Sequence, residues 1–556
     1  MIYDKNPPYP HYDHLRFAKE PLKSIYVFWR LFTTLALVPI WVTYYALIPR
    51  RYRPRASWNL RQIVNVMFTR RIYKVTEVAG VTWGTRDPSV APDERLLRET
   101  RFEWVKPLPE KYRTGIVKDH VPFTDVGCFV WPKKSSPISN GSGKDLIDFG
   151  DSQQLTSSSE VDLEIGNDKI PIIGIFMHGG GYCHMSAHES SRTSRIPRNL
   201  IKRKICHEVY SVEYRLLQHA PFPAVVIDAA AVYAHVVERY KKAHNSRWKI
   251  ILIGDSSGGN LVLSLARWLR DEGHLPLPDG LLLLSVSPLR HLLFDFLADY
   301  FMIYQPSCDT SHALPETLSS YIPRPNANSD YLVDTPEPRA LLQRTFLGFK
   351  YHSGSEPPDI DEEKRLMEVV HSEYVSPCSP IVLKRWGHQL KQDPEGEHEE
   401  NFKRHIFHRL PTDLRKTRSP ETLNKVVAAA TVSLEHDNPY HKSCRFPKLF
   451  GDFPRTLVVC GDAERLVREV RSLISAMETD GVDLQTHWAP DACHDPLILS
   501  EFWWDKKVLE ECWNAIGEWA KGFEAVPTVN KTDSTKTSQD GNPGSPSSMD
   551  EIVATQ

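Results

Sequence analysis

Excess charge of either sign is missing from this chain. Its 68 lysines and arginines face 70 aspartates and glutamates, a formal net charge of −2. No global field therefore draws nucleic acid or acidic ligands, and no nucleic-acid partner is expected. Cysteine is sparse as well: nine in 556 residues, an odd number, with no Cys-x-x-Cys pair and no zinc-type spacing. The 23 histidines include no His-Glu-x-x-His motif. Neither a metal nor another cofactor is expected on these grounds. The His- and Glu-rich stretch 388–408 reads as charged surface.

Long apolar runs are scarce too. Residues 31–48 form an eighteen-residue segment without charge, bounded by Arg30 and by Arg50, Arg51, Arg53 and Arg55. That is near the lower limit for crossing a bilayer, for which about 20 residues is typical. Trp41, Tyr44 and Tyr45 suit an interfacial belt, and the arginines anchor the following flank. No small-residue cleavage site follows, which argues against a removed signal peptide. The segment reads as a single-pass or monotopic membrane anchor, with an amphipathic or buried helix as the alternative. Arg16, Lys19, Lys23 and Arg30 on the near side nearly balance the arginines beyond it, so the positive-inside tendency leaves topology open.

What the chain does have is a pair of glycine-rich motifs in a fixed order. His178-Gly179-Gly180-Gly181-Tyr182 comes first, and Gly254-Asp255-Ser256-Ser257-Gly258 follows. Each comes directly after a short apolar, β-branched run, 172–177 and 249–253. A serine with glycine at both ±2, on a strand-to-helix turn, is a nucleophile elbow, too tight for a β-carbon at the flanking positions. Only Ser256 meets that condition, since Ser257 has Asp255 and Gly259 at ±2. The upstream loop can aim backbone N–H groups at a developing oxyanion. Order, spacing and preceding strands together point to a serine hydrolase.

A family resemblance covers more of the chain. The run from Met177 to Tyr182, Val212-Glu-Tyr-Arg-Leu216, His219-Ala-Pro-Phe-Pro-Ala224 with Asp228, and Gly254 to Asn260 resemble the hormone-sensitive-lipase-like, alpha/beta hydrolase fold-3 family. That group includes arylacetamide deacetylases and fungal steryl acetyl hydrolases. The likeness is dense over about 170–290, resumes near 447–520, and is faint elsewhere. Where the family usually has Ala-Pro-Glu after Tyr-Arg-Leu, this chain has Leu217-Gln218-His219, a change read as local packing. The resemblance implies an α/β hydrolase fold and lipophilic ester substrates. Some of these relatives are lumen-facing enzymes of the endoplasmic reticulum, which is the compartment expected here. Others in the fold family have lost the triad histidine and only bind small molecules.

Apolar runs at 172–177, 208–213, 249–253, 280–286, 456–460 and 483–488 alternate with helical patterns, and 120–131 reads as an earlier strand. This predicts an α/β fold with a mostly parallel sheet covered by helices on both faces. The expected organisation is an N-terminal segment (1–30), the anchor (31–48), a connecting or cap region (49–115), and a hydrolase core in two parts (116–287 and 447–524). Between them lies a cap, lid and polar insertion (288–446). Residues 132–168, rich in Ser, Gly, Asp and Lys, read as a disordered surface insertion, as does the tail 525–556. Residues 289–304 have helical spacing that fits either a packed helix or a lid, and 350–430 is polar and charged. Sequons at Asn140 and Asn530 are weak signals.

A serine hydroxyl needs a base held by a carboxylate, and in this fold the chain order is Ser, acid, His. His494, in the loop after 483–488, falls where the family's histidine does; His487 lies within the strand and is expected to point into packing. The acid follows 456–460, where Asp462, Glu464 and Glu469 are available. The family's acid stands two residues before a leucine, which registers Glu464 with Leu466. Asp462 is the runner-up, and Glu469 is expected to be exposed on the next helix. Backbone N–H groups of Gly180, Gly181 and Ser257 are the expected oxyanion donors. His178, Gly179, Gly254 and Gly258, together with Tyr214 and Arg215, are expected to be scaffold. Oligomeric state is not legible.

Overall fold

Among the described residues, eight strands build one sheet in the order β1-β2-β4-β3-β5-β6-β7-β8. They are β1 (Arg101–Val105), β2 (Val126–Trp131), β3 (Ile172–Met177), β4 (Glu208–Glu213), β5 (Lys249–Asp255), β6 (Gly280–Leu284), β7 (Arg455–Gly461) and β8 (Leu484–Ala489). The pairs β1–β2 and β2–β4 are antiparallel, and every pair from β4 to β8 is parallel. This computed structural model describes residues 17–118, 121–133, 170–240, 248–285, 326, 329–332, 345–349, 365–366, 368–388 and 448–523. The expected lid helix 289–304, the tail from 525, both sequons and nearly all of 132–168 lie outside the described residues.

The central strands are apolar without alternation because both their faces are covered. Strands β2, β3, β4 and β6 are buried at every residue, as parallel sheets under two helical layers require. The connecting helices are α3 (Arg195–Lys202), α4 (Ala224–Tyr240) and α5 (Ser257–Glu272) in the first part of the core. In the second part they are α7 (Val467–Asp480) and α8 (Lys506–Lys521). Edge strand β8 is half exposed, and His487 on it is half-buried rather than packed inside.

Two regions depart from the sequence reading. The connecting region 49–115 contributes β1, so the sheet begins before residue 116. It also forms α2 (Leu60–Ala79), whose N-terminus is closed by a capping box between Asn59 and Gln62. The helix α1 (Leu22–Leu47) packs on α2 and begins nine residues before the charge-free run. The polar insertion is not wholly surface: Leu366, Val370, Val375 and, on the short helix α6 (Pro380–Arg385), Val382 and Leu383 are buried in the main core. Their apolar side chains are diluted by charged neighbours in sequence, which hides them from any averaged composition.

Candidate active site

The turn between β5 and α5 holds Ser256 at φ 51° and ψ −119°, a left-handed conformation that costs a non-glycine residue energy and is held by its surroundings. A β-carbon at Gly254 would lie 2.3 Å from the Gly258 carbonyl, and one at Gly258 would lie 2.0 Å from the Met177 oxygen. Only glycine fits either position, and the chain has glycine at both. The Ser256 N–H donates to the Leu284 carbonyl at 2.9 Å, fixing the elbow to the end of β6.

Two turns from the second half of the core meet the elbow. The turn after β7 carries Glu464 and the turn after β8 carries His494. His494 Nε2 lies 2.9 Å from Ser256 Oγ, and His494 Nδ1 lies 2.9 Å from Glu464 Oε2. All three side chains are fully buried. The other Glu464 oxygen, Oε1, accepts the Cys460 thiol. Asp462 faces elsewhere: its carboxylate accepts the Asp491 backbone N–H at 2.7 Å and ties the two turns together. Glu469, expected to be exposed, is buried on α7 at 4 % exposure, because the helix turns that face inward.

Two further carboxylates lie beside His494, and neither was legible from motif spacing. Asp495 Oδ2 lies 3.3 Å from His494 Nε2, its backbone at φ 47° and its N–H donating to Ser285 Oγ at 3.0 Å. Asp330, from the middle of the long insertion, is fully buried and accepts the backbone N–H groups of Arg465 at 2.7 Å and His494 at 3.4 Å. Asn326 adds bonds to the carbonyls of Asp462 and Glu464 at 2.9 and 3.0 Å. A short piece of the insertion thus clamps both turns that bring the acid and the histidine.

Burial alone would lower the His494 pKa, but the facing carboxylates of Asp495, Glu464 and Asp330 outweigh it and raise it to about 9. Burial raises the Glu464 carboxyl, opposed by its bonds from His494 and Cys460. Burial pushes Asp495 well above the carboxylate range, against the opposing pull of His494 and with Asp255, Glu464 and Asp330 adding to the rise. When Asp495 holds a proton, the elevation of His494 rests chiefly on Glu464. Burial also raises Asp255 to about 7. Asp255 Oδ1 accepts the Gly179 N–H at 2.9 Å, while Oδ2 has no hydrogen-bond partner among the described residues.

The glycine loop is folded against the elbow. Gly180 sits at φ 112°, and its carbonyl accepts N–H groups from Cys183 and His184 at 3.2 and 2.9 Å. The Gly181 N–H is engaged by Ser257 Oγ at 2.9 Å, so an oxyanion has to share or displace that bond. His178 is packed into the loop: it stacks on Tyr214 with ring centroids 4.4 Å apart, and its Nδ1 lies 2.8 Å from the Gly179 carbonyl oxygen. Burial lowers its pKa to about 4, leaving it neutral. Arg215 clasps Asp228 with bonds of 2.7 and 3.0 Å, a buried pair that fixes the segment after β4.

Helix α2 borders this centre. On α2, Arg70 donates to the Asp330 carbonyl at 3.0 Å, and the Tyr73 ring lies 6.0 Å from Tyr331, which meets His494 edge-on at 5.9 Å. His184 Nδ1 accepts the Trp83 N–H at 3.1 Å, joining the glycine loop to the chain just beyond α2. The sequence signal for this was the Asn59-x-x-Gln62 capping pattern that opens α2; its target was not legible. Among the described residues, no group of three His, Cys, Asp or Glu side chains is arranged to hold a metal ion.

Residues 174–310 match the model of an alpha/beta hydrolase fold family. Over 120 residues the chain is 32% identical to the gibberellin receptor GID1A of Arabidopsis thaliana, a match covering 21% of this chain and 34% of the receptor. Over 113 residues it is 31% identical to carboxylesterase NlhH of Mycobacterium tuberculosis, covering 20% of this chain and 33% of that enzyme. The chain thus matches these relatives over only about a third of their length. A carboxyl esterase from the mycorrhizal fungus Tuber melanosporum superposes with a TM-score of 0.40 at 12% identity, covering 80% of this chain and 90% of that one.

Proposed function

We propose that this alpha/beta hydrolase fold chain is a membrane-associated serine carboxylesterase or deacetylase that hydrolyses lipophilic esters, such as acetylated sterols or acylglycerols. The observation that carries the reading is the buried chain of 2.9 Å contacts from Ser256 Oγ through the His494 ring to Glu464. His494 Nε2 takes the hydroxyl proton as Ser256 Oγ attacks the ester carbonyl carbon. Glu464 holds the proton on Nδ1 and supports the imidazolium that forms. Backbone N–H groups of Gly180, Gly181 and Ser257 receive the oxyanion. The imidazolium then protonates the leaving alcohol, and water, deprotonated by the same ring, releases the acid from the acyl-enzyme.

The apolar helix α1, with a mean hydropathy of 1.7 over its best window, supports membrane association. The endoplasmic reticulum is the proposed membrane, on the strength of the resemblance to lumenal deacetylases. A fluorophosphonate probe, which needs only an activated serine, should form an adduct on Ser256 in the native protein. The adduct should vanish in Ser256→Ala and in His494→Ala, and Ser256→Ala should lose ester hydrolysis while keeping the native circular dichroism. Ester turnover retained by Ser256→Ala would end the proposal. A ligand-binding role is favoured by one observation, the similarity to a gibberellin receptor; saturable binding without turnover or adduct would select it. Paired ester and amide substrates separate an esterase from an amidase.

A further inference from the structure

The helix α1 is polarised inside out. Its buried residues, Lys23, Val27, Arg30, Thr34 and Trp41, recur at helical spacing and form one stripe. That stripe contains both of the charges on the helix. Its outer face is apolar and uncovered: Ile25, Phe28, Trp29, Phe32, Leu35, Ile40 and Leu47 are all exposed, Phe32 at 67 % and Leu47 at 80 %.

The inner stripe is held to α2 along its length. Val27 packs with Val75, Ala79 and Val81. Arg30 Nε donates to the Arg71 carbonyl at 3.3 Å, and Arg71 Nε donates back to Thr34 Oγ1 at 3.2 Å. At the far end, Arg53 donates both to the Tyr45 carbonyl, at 2.8 Å, and to the Trp58 carbonyl, at 3.0 Å. So α1 runs antiparallel to α2 from the first turns to the last. Helix α2 carries Arg61, Arg70, Arg71 and Lys74, and its Arg70 is bonded at the catalytic clamp. It cannot enter hydrocarbon, and α1 cannot cross a bilayer without leaving it.

We propose that α1 lies in the plane of one lipid leaflet, outer face down, so that the chain docks on the membrane without spanning it. This rests on the reading that the protein is membrane-associated, and not on the reading of its chemistry. Three features commit the face to lipid rather than to another protein. No acidic residue lies between Leu22 and Leu47. Exposed apolar side chains recur past the helix, at Phe502 and Trp503, next to Trp504, whose buried ring meets buried Trp58 at 5.4 Å. Exposed Arg50, Arg51 and Arg61 border it, with Arg51 over the Tyr52 ring at 4.8 Å and Arg61 over Phe502 at 4.8 Å. Aromatic rings paired with cations at the rim of an apolar face match acyl chains below and phosphates at the edge.

The test uses the full chain bearing one epitope tag at its N-terminus and another at its C-terminus, expressed into sealed microsomes and treated with protease. In-plane docking places both tags on one side: both are digested in intact vesicles, or both only after detergent. Opposite fates for the two tags mean a single crossing and overturn the proposal. If neither tag sediments with membranes, the membrane reading itself fails and the proposal falls with it, a result distinct from opposite fates. Fluorophosphonate labelling of Ser256 in the same vesicles reports on the catalytic reading independently of either result.

Discussion

Replacing Glu464 with glutamine separates two things a triad acid does. Its Oε2 accepts the His494 Nδ1–H at 2.9 Å, while Oε1 accepts the Cys460 thiol. The amide has one oxygen for two donors. The N–H of the ring is the stronger donor, and a thiol sulfur accepts an N–H weakly, so the amide should turn its oxygen to His494 and its NH2 to Cys460. The ring then keeps its tautomer and loses only the charge beside it. A hydrogen bond to a charged group contributes about 1.5–3 kcal/mol, so kcat/KM of Glu464→Gln should fall roughly 10- to 150-fold. The wrong tautomer would instead cost about 10,000-fold. Losing the carboxylate also removes a group that raises the His494 pKa. The acid limb of the pH profile, below which the imidazole is protonated and cannot act as base, should therefore move to lower pH. Steady-state hydrolysis of a chromogenic acetate ester from pH 5 to 10 reads both quantities. A loss near 10,000-fold would show that the amide turned the other way. A loss under twofold with an unmoved limb would refute Glu464 as the acid.

Asp495→Asn should also lower the acid limb and raise activity at neutral pH, because it removes a carboxylate 3.3 Å from Nε2 that favours the charged ring; an unchanged pH–rate profile would mean that Asp495 already carries its proton in the working enzyme. Asp330→Ala strips the acceptor from the backbone N–H groups of Arg465 and His494. It should cost about 3 kcal/mol or more of stability, seen as a lowered urea midpoint, and unaltered unfolding would contradict its place as the clamp of the two turns. The Ser257 hydroxyl holds the Gly181 N–H at 2.9 Å, and Ser257→Ala should change kcat while leaving fluorophosphonate labelling of Ser256 possible. Equal kcat in the two proteins would mean that the Gly181 N–H plays no part in the oxyanion site.

Sequence alone determined the elbow and the fold class, because both follow from local sterics. No side chain fits beside Gly254 and Gly258, and strands as apolar as 172–177 or 280–284 have no stable place except between two helical layers. Order after two such strands left Asp462, Glu464 and Glu469 open as the acid, and only the family resemblance singled out Glu464; in the structure the His494 ring lies 2.9 Å from both Glu464 and Ser256. Tertiary structure alone decided what surrounds them. Asp330 and Asn326 act from a stretch with no local pattern, since a single buried carboxylate that accepts backbone N–H groups leaves no periodic trace. Glu469 turned inward and the charged insertion lent apolar residues to the core for the same reason: burial there is set by distant partners. The orientation of α1 was likewise outside the reach of hydropathy. An average counts Arg30 and Lys23 as breaks in an apolar run, whereas the fold puts both on the side that meets α2 and leaves the other face bare.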